Sequence, residues 1–218
     1  MEDLTDNERE EQLRRWWSQN WLWIVGGVAL GLALLWGWQY WQQSRMRQAQ
    51  VEEAAYAAVL DLLGAQKFDE AVVKGKALRS EHPSSPYADQ ADMALARGAV
   101  ESRKPDAAVP HLKAVIDGSK DEELRGIARS RLARVLIEQG KYDEAVAALD
   151  VAKAGSFAAL YHEIRGDAFS AKGDAKAARG EYDAALAAAK DGSQIDVAYV
   201  ELKRDALPAA PAAEVAAK

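Results

Sequence analysis

The chain has no cysteine, and it has no excess of basic side chains. Without cysteine it forms no disulfide and carries no thiolate nucleophile or cysteine-bound metal. Its 28 Lys and Arg residues stand against 34 Asp and Glu residues, which gives a formal net charge of −6. Nucleic-acid binding and binding through a polybasic membrane-surface patch both need concentrated positive charge, so the composition disfavours both.

Common catalytic signatures are also absent. The sequence contains no G-x-x-x-x-G-K, no G-x-S-x-G and no H-E-x-x-H pattern. Its three histidines, His82, His111 and His162, lie far apart without metal-ligand spacing, so we expect each at the surface or in a groove. Carboxylates in "KDEEL" and "YDEA" precede helical patterns, where they cap helices. The sequence therefore predicts a protein that is not an enzyme and has no cofactor or metal.

Tryptophan is concentrated in one segment of the chain. All seven Trp residues fall between Trp16 and Trp41. The apolar core from Trp21 to Trp38 has 18 residues, close to the ~20 residues with which a helix crosses a bilayer. Trp and Tyr cluster at both ends of this core, and such rings prefer the membrane–water interface. Residues 16–41 therefore predict a transmembrane helix in a lipid bilayer.

A cleaved signal peptide is the main alternative for this segment. Signal peptides end their apolar region at small residues, whereas "WGWQYWQQ" has bulky rings there. Charge leaves the orientation open, because Arg9, Arg14 and Arg15 precede the helix while Arg45 and Arg47 follow it.

Small residues four positions apart offer a close-approach strip on the apolar helix. Gly27 and Gly31 have the G-x-x-x-G spacing with which membrane helices pack closely. Because Gly is common in membrane helices, the strip is a candidate docking face for a membrane partner and equally a neutral feature.

The rest of the chain repeats one pattern, a polar turn followed by an acidic residue and a small residue that opens an apolar stripe. Alignment on Ala71, Ala108, Ala145 and Ala178 gives spacings of 37, 37 and 33 residues. A period of this length with two helices per unit is typical of tetratricopeptide repeats. Gly140 and Gly173 fall where a left-handed glycine caps a helix, and Gly166 where helices pack closely.

This chain departs from the repeat consensus at identifiable positions. The large aromatic residue expected early in the first helix of each unit is replaced by Ala55, Asp92, Arg129 and His162. Pro105 and Pro110 lie close together, so we expect a kinked or shortened second helix in that unit. Pro86 is suited to the first position of a helix.

These patterns define the expected architecture. We predict an all-α fold, with a single N-terminal transmembrane helix and then a tetratricopeptide-like right-handed α-solenoid of about four helix pairs plus a capping helix. The expected segments are a flexible acidic tail at 1–15, the transmembrane helix at 16–41, the repeat domain at 42–206 and a Pro/Ala-rich disordered tail at 207–218.

Stacked first helices of such repeats form a concave face that binds other proteins. Arg97 and Arg134 hold equivalent places in successive units and could pair with carboxylates of a peptide ligand. Alternatively they form only solvent-exposed ion pairs within the protein. In that case Arg134 could pair with Asp167, which holds the equivalent place in the next unit. The register assigns to this face Tyr56, Leu60, Gln90, Met93, Arg97, Ser130, Arg134, Glu163, Asp167 and Ser170.

The order of these elements resembles the bacterial YfgM family. The resemblance rests on "LRRWWSQNW", "GWQYWQ", "RLARVLIEQGKYDEAVAALD" and "IRGDAFSAKGDAKAARGEY", and covers roughly residues 10–205. Members of that family are ancillary subunits of the SecYEG translocon. The resemblance implies a cytoplasmic N-terminus and a periplasmic repeat domain in the inner membrane of a Gram-negative bacterium.

The resemblance also implies partners and a function. The partners would be the SecYEG translocon, a membrane-anchored parvulin-like periplasmic chaperone, and other periplasmic chaperones or client proteins. The function would be to help hand over translocated proteins without catalysis. The alternative is a membrane-anchored repeat adaptor in envelope assembly, cell division or stress signalling, unconnected to secretion.

Overall fold

The computed structural model describes residues 6–189 and 194–208 of the chain. The described residues form nine α-helices and two short 3₁₀ turns, so the predicted all-α fold is confirmed. The chain divides into two compact units, Met1–Val51 and Glu52–Lys218, called here the N-terminal and the C-terminal unit. The helices are α1 Asp6–Gly64, α2 Phe68–Glu81, α3 Pro86–Glu101, α4 Pro105–Gly118, α5 Glu122–Glu138, α6 Tyr142–Ala147, α7 Ala158–Lys172, α8 Ala175–Ala188 and α9 Val197–Asp205.

Helix α1 begins at Asp6, inside the segment that the sequence predicts as a flexible tail. Residues 6–15 are therefore helical, and residues 1–5 lie outside the described part. Glu, Gln, Leu and Arg in this segment favour helix. Arg15 Nη2 also lies 3.2 Å from a carboxylate oxygen of Glu11 one turn earlier, which adds a small stabilisation.

Four helix pairs form the C-terminal unit. Residues 52–64 of α1 pack against α2, α3 packs against α4, α5 against α6, and α7 against α8. The alanines that align the sequence repeats are nearly inaccessible to solvent, at 0–1 % exposure. The register read from Ala71, Ala108, Ala145 and Ala178 is thus the register of the packed core.

Helix ends follow the local sequence signals. Pro86 begins α3, and the Ser85 hydroxyl accepts a hydrogen bond from the Tyr87 N–H at 3.1 Å. Gly140 and Gly173 have φ values of +73° and +88°, as expected for left-handed caps. The equivalent turns of the first two pairs hold Gln66 at φ 60° and Arg103 at φ 57°, which cost free energy that glycine would not.

The shortened second helix lies in the third pair and not in the second, where the alternative expectation of a kink stays a prediction. Helix α4 has 14 residues and contains Pro110, while Pro105 takes the first position, where no N–H partner is needed. Helix α6 has only six residues. After it Asp150 accepts a hydrogen bond from the Ala152 N–H at 3.1 Å, which stabilises the first of the 3₁₀ turns Val151–Lys153 and Gly155–Phe157.

Helix α9 covers the apolar face of the last pair. Val200 is fully buried in a cluster with Ala178, Tyr182 and Ala185 of α8. Leu207, assigned from sequence to the disordered tail, also packs against this cluster. Residues 209–218 of that tail lie outside the described residues.

Candidate protein-binding surfaces

The N-terminal unit presents an apolar helix surface. All its tryptophans are between 47 % and 83 % exposed. Within the described part of the chain, α1 is the helix long and apolar enough to cross a membrane. The Arg45 guanidinium lies 4.8 Å from the centre of the Trp41 ring at the end of the apolar stretch. Amphipathic contacts of this kind suit the membrane–water interface.

The G-x-x-x-G strip is open on this helix. A Cβ atom built on Gly27 or Gly31 meets no neighbouring atom within 4 Å. The strip therefore has room for a second helix, and its role in docking stays a prediction.

In the C-terminal unit, Leu60, Arg97, Arg134 and Asp167 hold equivalent positions of the four first helices, and we call them the inner row. Leu60, Arg97 and Arg134 are exposed, so side chains of this row are available to a partner. Of the other sequence-assigned residues, Gln90 and Ser170 are exposed and Tyr56 is half-buried. The remaining three are less than a tenth exposed, namely Met93, Ser130 and Glu163.

A cavity of about 350 Å³ brings Arg97 and Arg134 to one place between α3 and α5. Its apolar lining includes Val100, Leu112 and Val135. We call it the arginine pocket, and its lining residues are Ala96, Arg97, Val100, Glu101, Leu112, Arg131, Arg134, Val135 and Glu138. Arg131 also lines this pocket, and the sequence register did not assign it because only its proximity in the folded chain reveals it.

The arginine pocket adjoins a larger cavity of about 850 Å³. This second cavity lies where α1, α2 and α3 meet, and its lining includes Leu60 and Phe68. Both cavities are lined by Arg97 and Glu101. The two cavities thus adjoin at Arg97 and Glu101, and we call them together the groove along the first three residues of the inner row.

The fourth residue of the inner row is engaged differently. Lys203 of α9 donates hydrogen bonds to Glu163 and Asp167 of α7, at 2.8 Å and 2.9 Å. Asp167 also accepts a hydrogen bond from the Tyr182 hydroxyl at 2.8 Å. The proposed Arg134–Asp167 pair is therefore not formed. Arg97 pairs within its own helix, with Glu101 at 2.7 Å.

Two groups that contact Asp167 of α7, Lys203 of α9 and Tyr182 of α8, have pKa values shifted in the same direction. Burial lowers the pKa of Lys203, but hydrogen bonds and charge attraction from Glu163 and Asp167 outweigh it, so the pKa is raised. Burial raises the pKa of Tyr182, and the negative charge of Asp167 raises it further. Both groups hold their protons more tightly when the chain is folded.

Raised pKa values stabilise the fold below the unfolded pKa values of about 10, and this stabilisation is lost as pH rises through the folded values. We therefore expect the last helix pair to lose stability above about pH 10. Thermal melts by circular dichroism across that range should show a smaller alkaline loss for Lys203→Met than for the original chain. Lys176→Met, which changes an exposed lysine, is the control and should keep the full loss. Equal losses in all three chains would contradict the assignment to Lys203.

Contacts between an acid and a histidine join the two helices of the second and of the fourth pair, and each contact includes a residue at a consensus aromatic position. In the second pair, Asp92 Oδ1 of α3 lies 2.7 Å from His111 Nδ1 of α4, and Arg79 of α2 donates to Asp92 at 2.9 Å. In the fourth pair, His162 Nδ1 of α7 lies 2.7 Å from Glu181 Oε2 of α8. The acid and the histidine have exchanged helices between the two pairs.

The histidines are therefore structural contacts, which the sequence prediction missed. The surface alternative is wrong for His111, which is buried and lines a cavity between α2 and α4. His82 is half-buried, 3.1 Å from Glu52. Residues 6–189 and 194–208 contain no group of three His, Asp or Glu side chains arranged to hold a metal.

Comparison with known proteins finds a matching family model and several similar proteins. A family model described as a tetratricopeptide repeat-like domain matches residues 14–209. An Escherichia coli protein named Ancillary SecYEG translocon subunit is 28 % identical over 83 % of this chain and 87 % of its own length. Proteins of the same name from Haemophilus influenzae and Neisseria gonorrhoeae are 29 % and 27 % identical, over 92 % and 84 % of this chain and 96 % and 88 % of theirs.

Proposed function

Because this chain belongs to the tetratricopeptide repeat-like domain family, we propose that it is a membrane-anchored, non-catalytic scaffold that associates with the SecYEG translocon. The observation that carries the proposal is the similarity to proteins named Ancillary SecYEG translocon subunit. The Haemophilus influenzae protein matches 92 % of this chain, which is enough to include both the apolar helix and the helix pairs. The similarity thus includes a segment suited to the bilayer and a segment suited to binding proteins.

The proposal includes a location. The chain spans the inner membrane once through residues 16–41, with its N-terminus in the cytoplasm and its helix pairs in the periplasm. The three arginines before the helix and the two after it support this orientation weakly. A membrane anchor beside the translocon raises the local concentration of the helix pairs at its exit, so weak contacts suffice there.

The proposal also includes partners on the periplasmic side. A membrane-anchored parvulin-like chaperone, other periplasmic chaperones and emerging client proteins bind the helix pairs, and the scaffold helps hand the clients over. Its exposed groove along the inner row, lined by apolar and charged side chains, supports binding of polypeptide. Tetratricopeptide-like stacks act through such surfaces and supply no chemistry of their own.

Affinity purification of the full-length chain at native expression tests this function. Membranes are crosslinked and dissolved in mild detergent, and the recovered proteins are identified by mass spectrometry. We expect translocon subunits crosslinked through the apolar helix and a periplasmic chaperone crosslinked through the helix pairs. Recovery of envelope-assembly, division or signalling proteins without the translocon would overturn the proposal.

Filling the G-x-x-x-G strip should weaken the membrane contact. Replacing Gly27 and Gly31 with leucine removes close helix packing worth ~1–2 kcal/mol, so association with translocon subunits should fall about tenfold. Membrane insertion should persist because leucine is apolar.

Gly26→Leu with Gly37→Leu is the matched control. It adds the same side chains on another face of the helix, where Cβ atoms also meet open space. Equal recovery of the translocon from both double variants would show that the strip is not the docking face.

A further inference from the structure

We propose that the arginine pocket binds an internal, extended segment of another polypeptide that carries an aliphatic side chain next to Asp or Glu. The inference rests on the proposed function, because it names the kind of segment that the helix pairs would bind. It goes further by assigning the ligand chemistry to one pocket and its three arginines.

Unpaired positive charge is the first observation. Arg131 and Arg134 have no hydrogen bond or ion pair within the described part of the chain, and only Arg97 is paired, with Glu101. Glu101 and Glu138 also line the pocket, so its three arginines leave it with one excess positive charge, whereas the whole chain carries a net charge of −6. A guanidinium pairs with a carboxylate through two parallel hydrogen bonds, which makes a carboxylate the fitting ligand.

At the other end of the inner row, carboxylates compensate a positive charge. There the cation of Lys203 is neutralised by Glu163 and Asp167. At the equivalent positions of the second pair stand Met93 and Arg97, which supply no negative charge. Between α3 and α5 the pocket holds Glu101, which pairs with Arg97, and Glu138, so its three arginines still exceed its carboxylates by one.

The floor of the pocket determines the second part of the ligand. Leu112 and Val135 are almost fully buried in the core, and Val100 is 37 % exposed at the edge. An aliphatic side chain placed on this floor removes apolar surface from water, while polar groups gain nothing there. The pocket volume of about 350 Å³ accommodates one such side chain with an adjacent carboxylate.

The form of the ligand follows from the groove. Because the arginine pocket and the larger cavity share Arg97 and Glu101, a bound chain can continue from one cavity into the other. A chain that ended in the arginine pocket would leave the larger cavity empty. An internal segment uses both cavities, and we therefore commit to it over a free C-terminus.

Fluorescence anisotropy with full-length protein in nanodiscs tests the proposal. The probe is a fluorescein-labelled peptide of alternating Leu and Glu, with an amidated C-terminus. The comparison peptide has Gln in place of every Glu. We expect the acidic peptide to bind at least about tenfold more tightly, and its affinity to fall with added salt. Equal binding of the two peptides, or binding only of a peptide with a free C-terminal carboxylate, would overturn the proposal.

Two matched double variants assign the effect to the pocket. Arg131→Gln with Arg134→Gln should weaken the acidic peptide at least about tenfold, and the exposure of both side chains should leave the circular dichroism spectrum unchanged. Lys113→Gln with Lys176→Gln removes two exposed charges outside the pocket and should leave the affinity unchanged. An equal loss in both variants would show only general charge attraction and overturn the pocket.

The outcomes separate this inference from the proposed function. If the translocon is recovered but neither peptide binds, the arginine pocket is overturned and the scaffold assignment stands. If the acidic peptide binds through Arg131 and Arg134 but no translocon is recovered, the location is overturned and the pocket stands.

Discussion

Replacing Asp92 with alanine is expected to lower the free energy of unfolding by about 3–5 kcal/mol. The Asp92 carboxylate is 4 % exposed and accepts contacts from Arg79 and His111. Its removal leaves the buried His111 without this partner and the half-buried Arg79 with Asp89 as its remaining carboxylate. Alanine also leaves a void between α3 and α4. Breaking a buried pair in this way costs far more than the intact pair contributes.

An exposed pair of the same length is the control for Asp92. Arg97 and Glu101 lie 2.7 Å apart, as do His111 and Asp92, but both members of the former are exposed. Glu101→Ala should change stability by less than about 1 kcal/mol. Circular dichroism should follow the unfolding, because every tryptophan lies in the N-terminal unit and its fluorescence does not report on the helix pairs. Similar losses for both variants would contradict the role of burial.

Gly166→Ala is expected to destabilise the fourth helix pair by about 1–3 kcal/mol. A Cβ atom built on Gly166 would lie 2.5 Å from a ring atom of Tyr182. That ring is 2 % exposed and its hydroxyl is bound to Asp167, so it has little freedom to move away. The methyl group therefore separates α7 from α8.

A glycine-to-alanine substitution in the next helix, α8, should raise stability instead of lowering it. Gly180 lies inside α8, and its Cβ would meet nothing within 4 Å. Gly180→Ala should therefore raise stability by up to ~1 kcal/mol, because alanine is the better helix former. Thermal melts of both variants measure the difference. A stabilised Gly166→Ala chain would show that the contact between α7 and α8 is looser than described.

The repeat register could be predicted from the sequence because it depends on local, periodic signals. Small residues at fixed spacing predict which side chains pack between helices, and glycine predicts left-handed turns. Both predictions are confirmed, at Ala71 and its equivalents and at Gly140 and Gly173. The predicted tetratricopeptide-like fold is confirmed by the family model. It could be predicted because the repeat pattern is also local and periodic.

Contacts between separate elements could not be predicted in this way. Asp92 departs from the aromatic consensus, and only folding shows that Arg79 and His111 reach it from two other helices. Lys203 likewise lies 36 residues from Asp167 in sequence, and its contact displaces the expected Arg134–Asp167 pair. Arg131 joins the arginine pocket through the packing of α5 against α4, which no spacing rule encodes.

The exchange of acid and histidine between the second and fourth pairs affects which helices pack against each other during folding. The four helices concerned are alanine-rich and of similar length, 14 to 16 residues, so apolar packing alone distinguishes them poorly. If α3 packed on α8, Asp92 would face Glu181, and if α7 packed on α4, His162 would face His111. The first incorrect pairing opposes two carboxylates and the second leaves both imidazoles without an acid partner, so a misassembled stack is penalised while the correct order forms complementary pairs.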